Sequence, residues 1–109
     1  MSETSPGDIR LDLDAGLASL TLALPRPKNA FRTTDAQALS ARLDEALVGG
    51  ARCVLLRADG DTFCAGWDVT SIRPGQDDPV AMIEEVVAPL LRQLRALPVP
   101  TVSVVRGAA

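Results

Sequence analysis

Two runs near the start of the chain alternate apolar and polar residues with a period of two. Residues 9–14 (Ile-Arg-Leu-Asp-Leu-Asp) and 17–24 (Leu-Ala-Ser-Leu-Thr-Leu-Ala-Leu) are typical of strands with one buried face. The intervening Ala15-Gly16 is a turn, so the two runs predict a β-hairpin. Pro25 and Pro27 end the second strand, because proline has no N–H to donate to a strand ladder.

The next apolar pattern has the spacing of a helix. From Leu39 onward, apolar residues recur at i, i+4, i+7 and i+8, which predicts an amphipathic helix with one buried face. Thr33 or Thr34 is the expected N-cap, with the helix beginning near Asp35. Gly49-Gly50 is expected to end it.

Two more strands and a second helix complete the pattern. Residues 51–57 contain the continuous apolar run Cys-Val-Leu-Leu, which favours a strand buried on both faces. Asp78-Pro79 has the residue types of an N-cap and a first helical position, and Pro89 inside the following apolar stripe is expected to kink or split that helix. Residues 101–105 predict a last strand, so the element order is β-β-α-β-α-β.

The stretch Gly60-Asp-Thr-Phe-Cys-Ala-Gly-Trp-Asp-Val69 carries the candidate chemistry of the chain. Gly66 removes a side chain at a point where the backbone needs to approach a ligand or take a positive φ. A backbone N–H just after such a glycine, at the start of a helical turn, is a natural donor to a negatively charged oxygen. The stretch therefore predicts an oxyanion-type site made of main-chain atoms rather than of acids and bases.

Composition narrows the classes of function. The 109 residues support one domain, and the net charge of −3 without a basic stripe argues against nucleic acid as the main partner. The chain contains no histidine, which excludes Ser-His-Asp catalysis, Cys-His catalysis and His-ligated zinc within it. Enzymatic chemistry here has to rest on other groups.

The cysteines and the N-terminus indicate the compartment. Cys53 and Cys64 form no CxxC pair and are expected to be free thiols in a reducing environment. Residues 1–8 lack the basic and apolar regions of a signal peptide and are expected to be a disordered leader. No apolar run has the length of a membrane span, so a cytoplasmic protein without a membrane partner is expected.

Three segments, in order along the chain, resemble motifs of the crotonase superfamily, the enoyl-CoA hydratases and isomerases. Residues 63–69 (Phe-Cys-Ala-Gly-Trp-Asp-Val) are similar to the signature F-[CS]-A-G-x-D-[LIV]. Residues 25–30 (Pro-Arg-Pro-Lys-Asn-Ala) resemble a P-x-x-x-N-A segment, and residues 94–108 resemble an L-x-x-L-P-x-P-x-[IV]-A-x-[VI]-x-G-x-A segment. The resemblance extends over residues 9–109.

This resemblance implies an α/β fold, the N-terminal part of a crotonase-like spiral of β-β-α repeats. Residues 9–109 would form a partial domain, truncated before the second oxyanion-hole turn and the C-terminal helical region. The resemblance also implies an acyl-CoA thioester as substrate, no cofactor besides the coenzyme A of that substrate, and trimers or hexamers for a full-length protein.

By the same resemblance, the Trp67 N–H is one of two backbone donors that hold the thioester oxygen as it becomes an enolate. The residues expected to lie near the substrate are Lys28, Ala30, Ala65, Gly66, Asp68 and Val69. Lys28 is either a solvated residue or the partner of a CoA phosphate. Asp68 is expected to cap a short helix after the loop rather than to act as an acid, and Arg32 is expected to be solvated or to face another subunit.

Two functions remain open at this stage. In the family, the second N–H donor and the acid/base carboxylates lie beyond the segment that ends at Gly107-Ala108, so the chain is expected to supply half of an oxyanion hole. It is then either an enoyl-CoA hydratase/isomerase-like protein that acts by enolate stabilisation, or a non-catalytic remnant that binds CoA or serves as an assembly partner. Residues 87–98 also look somewhat like the ring-opening epoxyphenylacetyl-CoA isomerase branch.

Overall fold

The computed structural model describes residues 9–24, 29–64, 66–68 and 72–107. Its strands are β1 (Ile9–Asp14), β2 (Leu17–Leu22), β3 (Cys53–Ala58) and β4 (Thr101–Ser103). Its helices are α1 (Thr33–Val48), α2 (Pro79–Met82), a π-helical segment (Ile83–Val87) and α3 (Ala88–Arg95). The predicted α/β class and the order β-β-α-β-α-β are confirmed, while the leader predicted over residues 1–8 lies outside the described residues.

The four strands form one sheet in the order β1-β2-β3-β4. Strands β1 and β2 are antiparallel, and β3 pairs in parallel with β2 on one side and with β4 on the other. The hairpin turn has positive φ angles at both central residues, 51° at Ala15 and 86° at Gly16. Two positive φ angles match the right-handed twist of the flanking strands, so the predicted hairpin is confirmed.

The core joins the sheet to α1. Leu20 and Val54 in the sheet and Leu43 in the helix are all fully buried, and all three belong to one apolar cluster. In β3 the buried residues alternate with half-buried ones. The prediction that this strand is buried on both faces is therefore wrong for this chain, in which burial is complete on one face.

Helix α1 begins at Thr33, two residues before the predicted start near Asp35. Its N-cap is Arg32, whose backbone N–H donates to the Asp35 carboxylate at 2.7 Å. The prediction of a Thr33 or Thr34 cap is wrong, because Asp35 closes the first turn from inside the helix. At the other end the Gly49 N–H donates to the Glu45 carbonyl at 2.9 Å, as expected for a glycine that ends a helix.

The second helical region confirms its predicted start and its interruption. The Asp78 carboxylate accepts a hydrogen bond from the Val80 N–H at 3.0 Å, so Asp78 is the N-cap. The interruption is the π-helical segment, a turn wider than that of an α-helix, which ends just before Pro89. There the Ala88 N–H donates to the Ile83 carbonyl five residues earlier. Proline lacks an N–H and its ring clashes with the preceding turn, and the π-helical segment accommodates both defects.

Helices that could cross a lipid bilayer are absent from the described part of the chain, where none is both long and apolar enough.

Candidate functional site

The glycine-containing stretch of residues 60–69 is called the glycine loop below. A parallel β-bridge holds its residue Trp67 beside Phe31, close to the start of α1. The Phe31 N–H donates to the Gly66 carbonyl at 2.8 Å, and the Asp68 N–H donates to the Phe31 carbonyl at 2.6 Å. In such a bridge the N–H and C=O of the middle residue, Trp67, point away from Phe31. Within the described residues, no hydrogen bond engages the Trp67 N–H. The geometry therefore leaves this donor available.

Gly66 has the backbone conformation that the sequence predicted. Its φ is +102°, and a Cβ placed on it would meet no atom of the described residues within 4 Å. Its N–H faces the Cys64 sulfur at 3.3 Å. Both Cys64 and Cys53 are free and half-buried, as expected for unpaired thiols. The empty space beside Gly66 means that glycine is required here by backbone conformation and not by a neighbouring protein atom.

An ion pair between Arg32 and Asp68 fixes the C-terminal part of the glycine loop. The Arg32 Nε donates to Asp68 Oδ2 at 2.7 Å, and the Asp68 side chain is 10% exposed against 46% for Arg32. Arg32 is thus partly solvated, as expected, and its guanidinium also forms an ion pair within the chain that the sequence did not predict. Asp68 holds the loop against the start of α1. The residues that follow it, where it was predicted to cap a short helix, lie outside the described residues.

Asn29 anchors the N-terminal part of the glycine loop at Thr62. Its side-chain oxygen accepts a hydrogen bond from the Leu24 N–H at 2.9 Å, and its amide group donates to the Thr62 carbonyl at 3.0 Å. Asn29 is buried with a φ of +53°, a conformation that asparagine tolerates better than most residues. The half-buried Ala30, which was predicted to lie near the substrate, directly follows Asn29 and is therefore next to a residue held by two hydrogen bonds.

Arg106 and Gly107, in the last of the three family-like motifs, lie against the N-terminal part of the glycine loop. The Phe63 N–H donates to the Arg106 carbonyl at 2.8 Å. Gly107 has a φ of +61°, and a Cβ on it would lie 2.6 Å from the Asp61 carbonyl oxygen. Only glycine fits this close approach of two backbones. The segment after β4 thus packs against the start of the glycine loop.

An apolar cavity of about 520 Å³ opens beside Gly66 and Trp67. The loop and α1 line one side of it, and the second helical region lines the other. The described residues that line it are Phe31, Ala36, Cys64, Gly66, Trp67, Ile72, Pro79, Met82, Ile83, Val87, Leu90 and Leu91. None of these side chains carries a charge, so none of them forms an ion pair beside the Trp67 N–H.

The described residues include some of the predicted site residues. Gly66, Trp67 and Asp68 lie in one segment beside Phe31. Lys28, Ala65 and Val69 lie outside the described residues. Sequence reasoning missed Phe31 as the partner of Trp67 and Arg32 as the partner of Asp68. Each pair is 36 residues apart, and no local pattern marks it.

The Arg32–Asp68 pair is expected to contribute measurably to stability. A double-mutant cycle with Arg32→Gln and Asp68→Asn should give a coupling free energy of about 1–2 kcal/mol in urea unfolding, because one partner is almost fully buried. The Arg10–Asp59 pair is a matched control, since its atoms are 2.8 Å apart but its side chains are 41% and 51% exposed. Its coupling should stay below about 0.5 kcal/mol. Equal coupling in the two cycles would contradict the structural role assigned to Asp68.

Comparison with known proteins places these features in a family. The family model described as "Enoyl-CoA hydratase/isomerase" matches residues 12–109. A protein described as a probable enoyl-CoA hydratase in Rhodobacter capsulatus is 33% identical over 101 residues, which are 93% of this chain and 39% of that protein. The 1,2-epoxyphenylacetyl-CoA isomerase of Escherichia coli is 31% identical over 106 residues, 89% of this chain and 39% of the isomerase.

Solved structures show the same relationship. The crystal structure of a probable enoyl-CoA hydratase from Mycobacterium thermoresistibile has a TM-score of 0.81 and 25% identity, and the match covers 92% of this chain and 42% of that one. A methylmalonyl CoA decarboxylase has a TM-score of 0.81 at 23% identity, with 96% and 41% of the two chains covered, and this likeness shows the fold alone. The chain thus spans about two fifths of the length of the relatives that it matches.

Proposed function

Because the chain belongs to the enoyl-CoA hydratase/isomerase family, we propose that it binds an acyl-CoA thioester and stabilises the enolate formed from it. The Trp67 N–H is then one of two backbone donors to the thioester oxygen. The observation that carries this proposal is the Trp67 N–H, which has no hydrogen-bond partner among the described residues and which the bridge turns away from Phe31.

The surroundings of this donor support the role. A Cβ on Gly66 would meet no atom within 4 Å in the part of the chain that the structure describes, which leaves room there for a thioester group. The described residues that line the cavity next to it are apolar or uncharged, so no charged side chain among them competes for a charge that develops at this donor. In another class of enzyme, removal of one donor of this kind raises the activation barrier by about 2.7–4 kcal/mol.

The chemistry that follows enolate formation rests on other groups. The described residues that line the cavity carry no charged side chain, and the Asp68 carboxylate is paired with Arg32. In this proposal the second donor and the proton-transferring carboxylates belong to the part of the family's length that the chain does not span. Those groups decide between hydration, isomerisation and ring opening.

Further parts of the proposal rest on the family resemblance. Lys28 lies beside a CoA phosphate, and Ala30, Ala65 and Val69 lie along the bound thioester. The full-length protein acts in the cytoplasm as a trimer or hexamer, and coenzyme A enters only as part of the substrate.

Calorimetric titration tests the binding half of the proposal. We expect crotonyl-CoA to bind with a Kd at least threefold lower than that of free CoA, because only the thioester offers an oxygen to the Trp67 N–H. Equal affinity for both ligands, or no binding of either, would contradict the placement of a thioester site in this chain.

A further inference from the structure

The wall of the cavity opposite Trp67 is built by the helix with the wide turn. Ile83 and Val87 bound the π-helical segment, and both side chains line the cavity. Ile83 and Leu91 are 58% and 53% exposed, which is high for large apolar side chains. A wide turn of this kind re-aims side chains and often lies at a functional site. The helix therefore offers an uncovered apolar surface beside the proposed thioester position.

The size of the cavity limits what fills it. Its volume is about 520 Å³, whereas an apolar cavity of about 150 Å³ is enough to hold one benzene molecule. A four-carbon acyl group would leave most of such a space empty, and an unfilled apolar cavity forfeits dispersion contacts along its walls. A larger acyl group would recover those contacts.

The chemistry of the lining disfavours charged acyl groups. The polar side-chain groups among the described lining residues are the Trp67 indole N–H and the Cys64 thiol, and neither can neutralise a charge. Burial of a carboxylate without a charged partner is strongly unfavourable. An acyl chain that ends in a second carboxylate is therefore a poor occupant of this cavity.

We propose that the cavity takes an apolar acyl group at least as large as a phenyl ring or an eight-carbon chain, and that Ile83 and Val87 select it. This inference rests on the proposed function, because the acyl group enters the cavity from a thioester held at Trp67. The cavity begins at Gly66 and Trp67 and continues to the π-helical segment, so an acyl chain that starts at the thioester reaches that wall.

Affinities for a series of CoA thioesters test the proposal. Each additional buried methylene lowers the Kd about fourfold, which corresponds to about 0.8 kcal/mol. Octanoyl-CoA should therefore bind at least tenfold more tightly than butyryl-CoA. The eight-carbon thioester with a terminal carboxylate should bind at least tenfold more weakly than octanoyl-CoA. A Kd that does not depend on chain length would overturn the inference.

A pair of variants locates the selectivity. Ile83→Asp should abolish the preference for octanoyl-CoA over butyryl-CoA. Val80→Asp is the matched control, because Val80 is 62% exposed in the same helical region and is not among the residues that line the cavity. The control should keep the full preference. Equal effects of the two substitutions would overturn the role of Ile83, and thermal unfolding of both variants shows that each is folded.

The series also separates this inference from the proposed function. Butyryl-CoA that binds more tightly than free CoA, together with octanoyl-CoA that binds no more tightly than butyryl-CoA, would overturn the acyl selectivity alone. Failure of every thioester to bind would overturn both.

Discussion

Replacing Gly66 by valine is expected to lower the rate of the full-length protein on an acyl-CoA substrate by about 100- to 1,000-fold, the effect of losing one oxyanion donor. Gly66 has a φ of +102°, and a β-branched residue is strongly disfavoured there. The backbone must shift to relieve the strain, and the shift moves the adjacent Trp67 N–H. The new side chain would also fill the empty space beside Gly66, where we place the thioester.

Gly60→Val is the matched control for this prediction. Gly60 lies in the same loop, has a φ of +84°, and its Cβ would also meet no atom within 4 Å. It is not among the residues that line the cavity at Trp67. Both variants should lose about 1–3 kcal/mol of stability from backbone strain, but only the change at Gly66 should lower the rate. Equal rate losses would show that strain in the loop, and not the position of the donor, explains the effect.

A polypeptide of residues 1–109 alone is expected to give no measurable hydration of crotonyl-CoA at any pH. Hydration needs a positioned group to transfer protons, which contributes about 10²–10⁴-fold to the rate. The described residues that line the cavity carry no charged side chain, and the Asp68 carboxylate is paired with Arg32. Loss of the enoyl absorbance over time should match that of a protein-free sample.

Binding data from the same polypeptide distinguish the two candidate functions. A chain that binds crotonyl-CoA in preference to CoA, without turnover, retains the donor half of a catalytic site. A chain that binds free CoA equally well would favour the non-catalytic alternative. Turnover well above the uncatalysed rate, abolished by Gly66→Val, would contradict our assignment of proton transfer to groups outside these residues.

The sequence was informative where the physical cause is local. The positive φ at Gly66 follows from a few neighbouring residues. Pro89 likewise interrupts the helix through its own ring and missing N–H, although its presence did not show that the interruption would be a π-helical turn. Alternating patterns predicted the hairpin for the same reason.

The features that the sequence did not reveal depend on contacts between distant segments. Arg32 is the N-cap of α1, yet its side chain reaches an aspartate 36 positions away. The cap of α1 was assigned to a threonine because threonine is a common cap, whereas the Asp35 side chain closes that turn. The cavity is also non-local, since it forms between α1, the glycine loop and the second helical region.

The central claim is that the Trp67 N–H donates to the oxygen of a bound thioester. Trp67 is the single tryptophan of the chain, so ¹⁵N-tryptophan labelling gives one backbone amide signal and one indole signal. Octanoyl-CoA should move the backbone amide proton downfield on binding, whereas the octyl-CoA thioether, which lacks the carbonyl oxygen, should bind without that shift. An amide proton that responds equally to both ligands, or to neither when both are bound, would contradict the account.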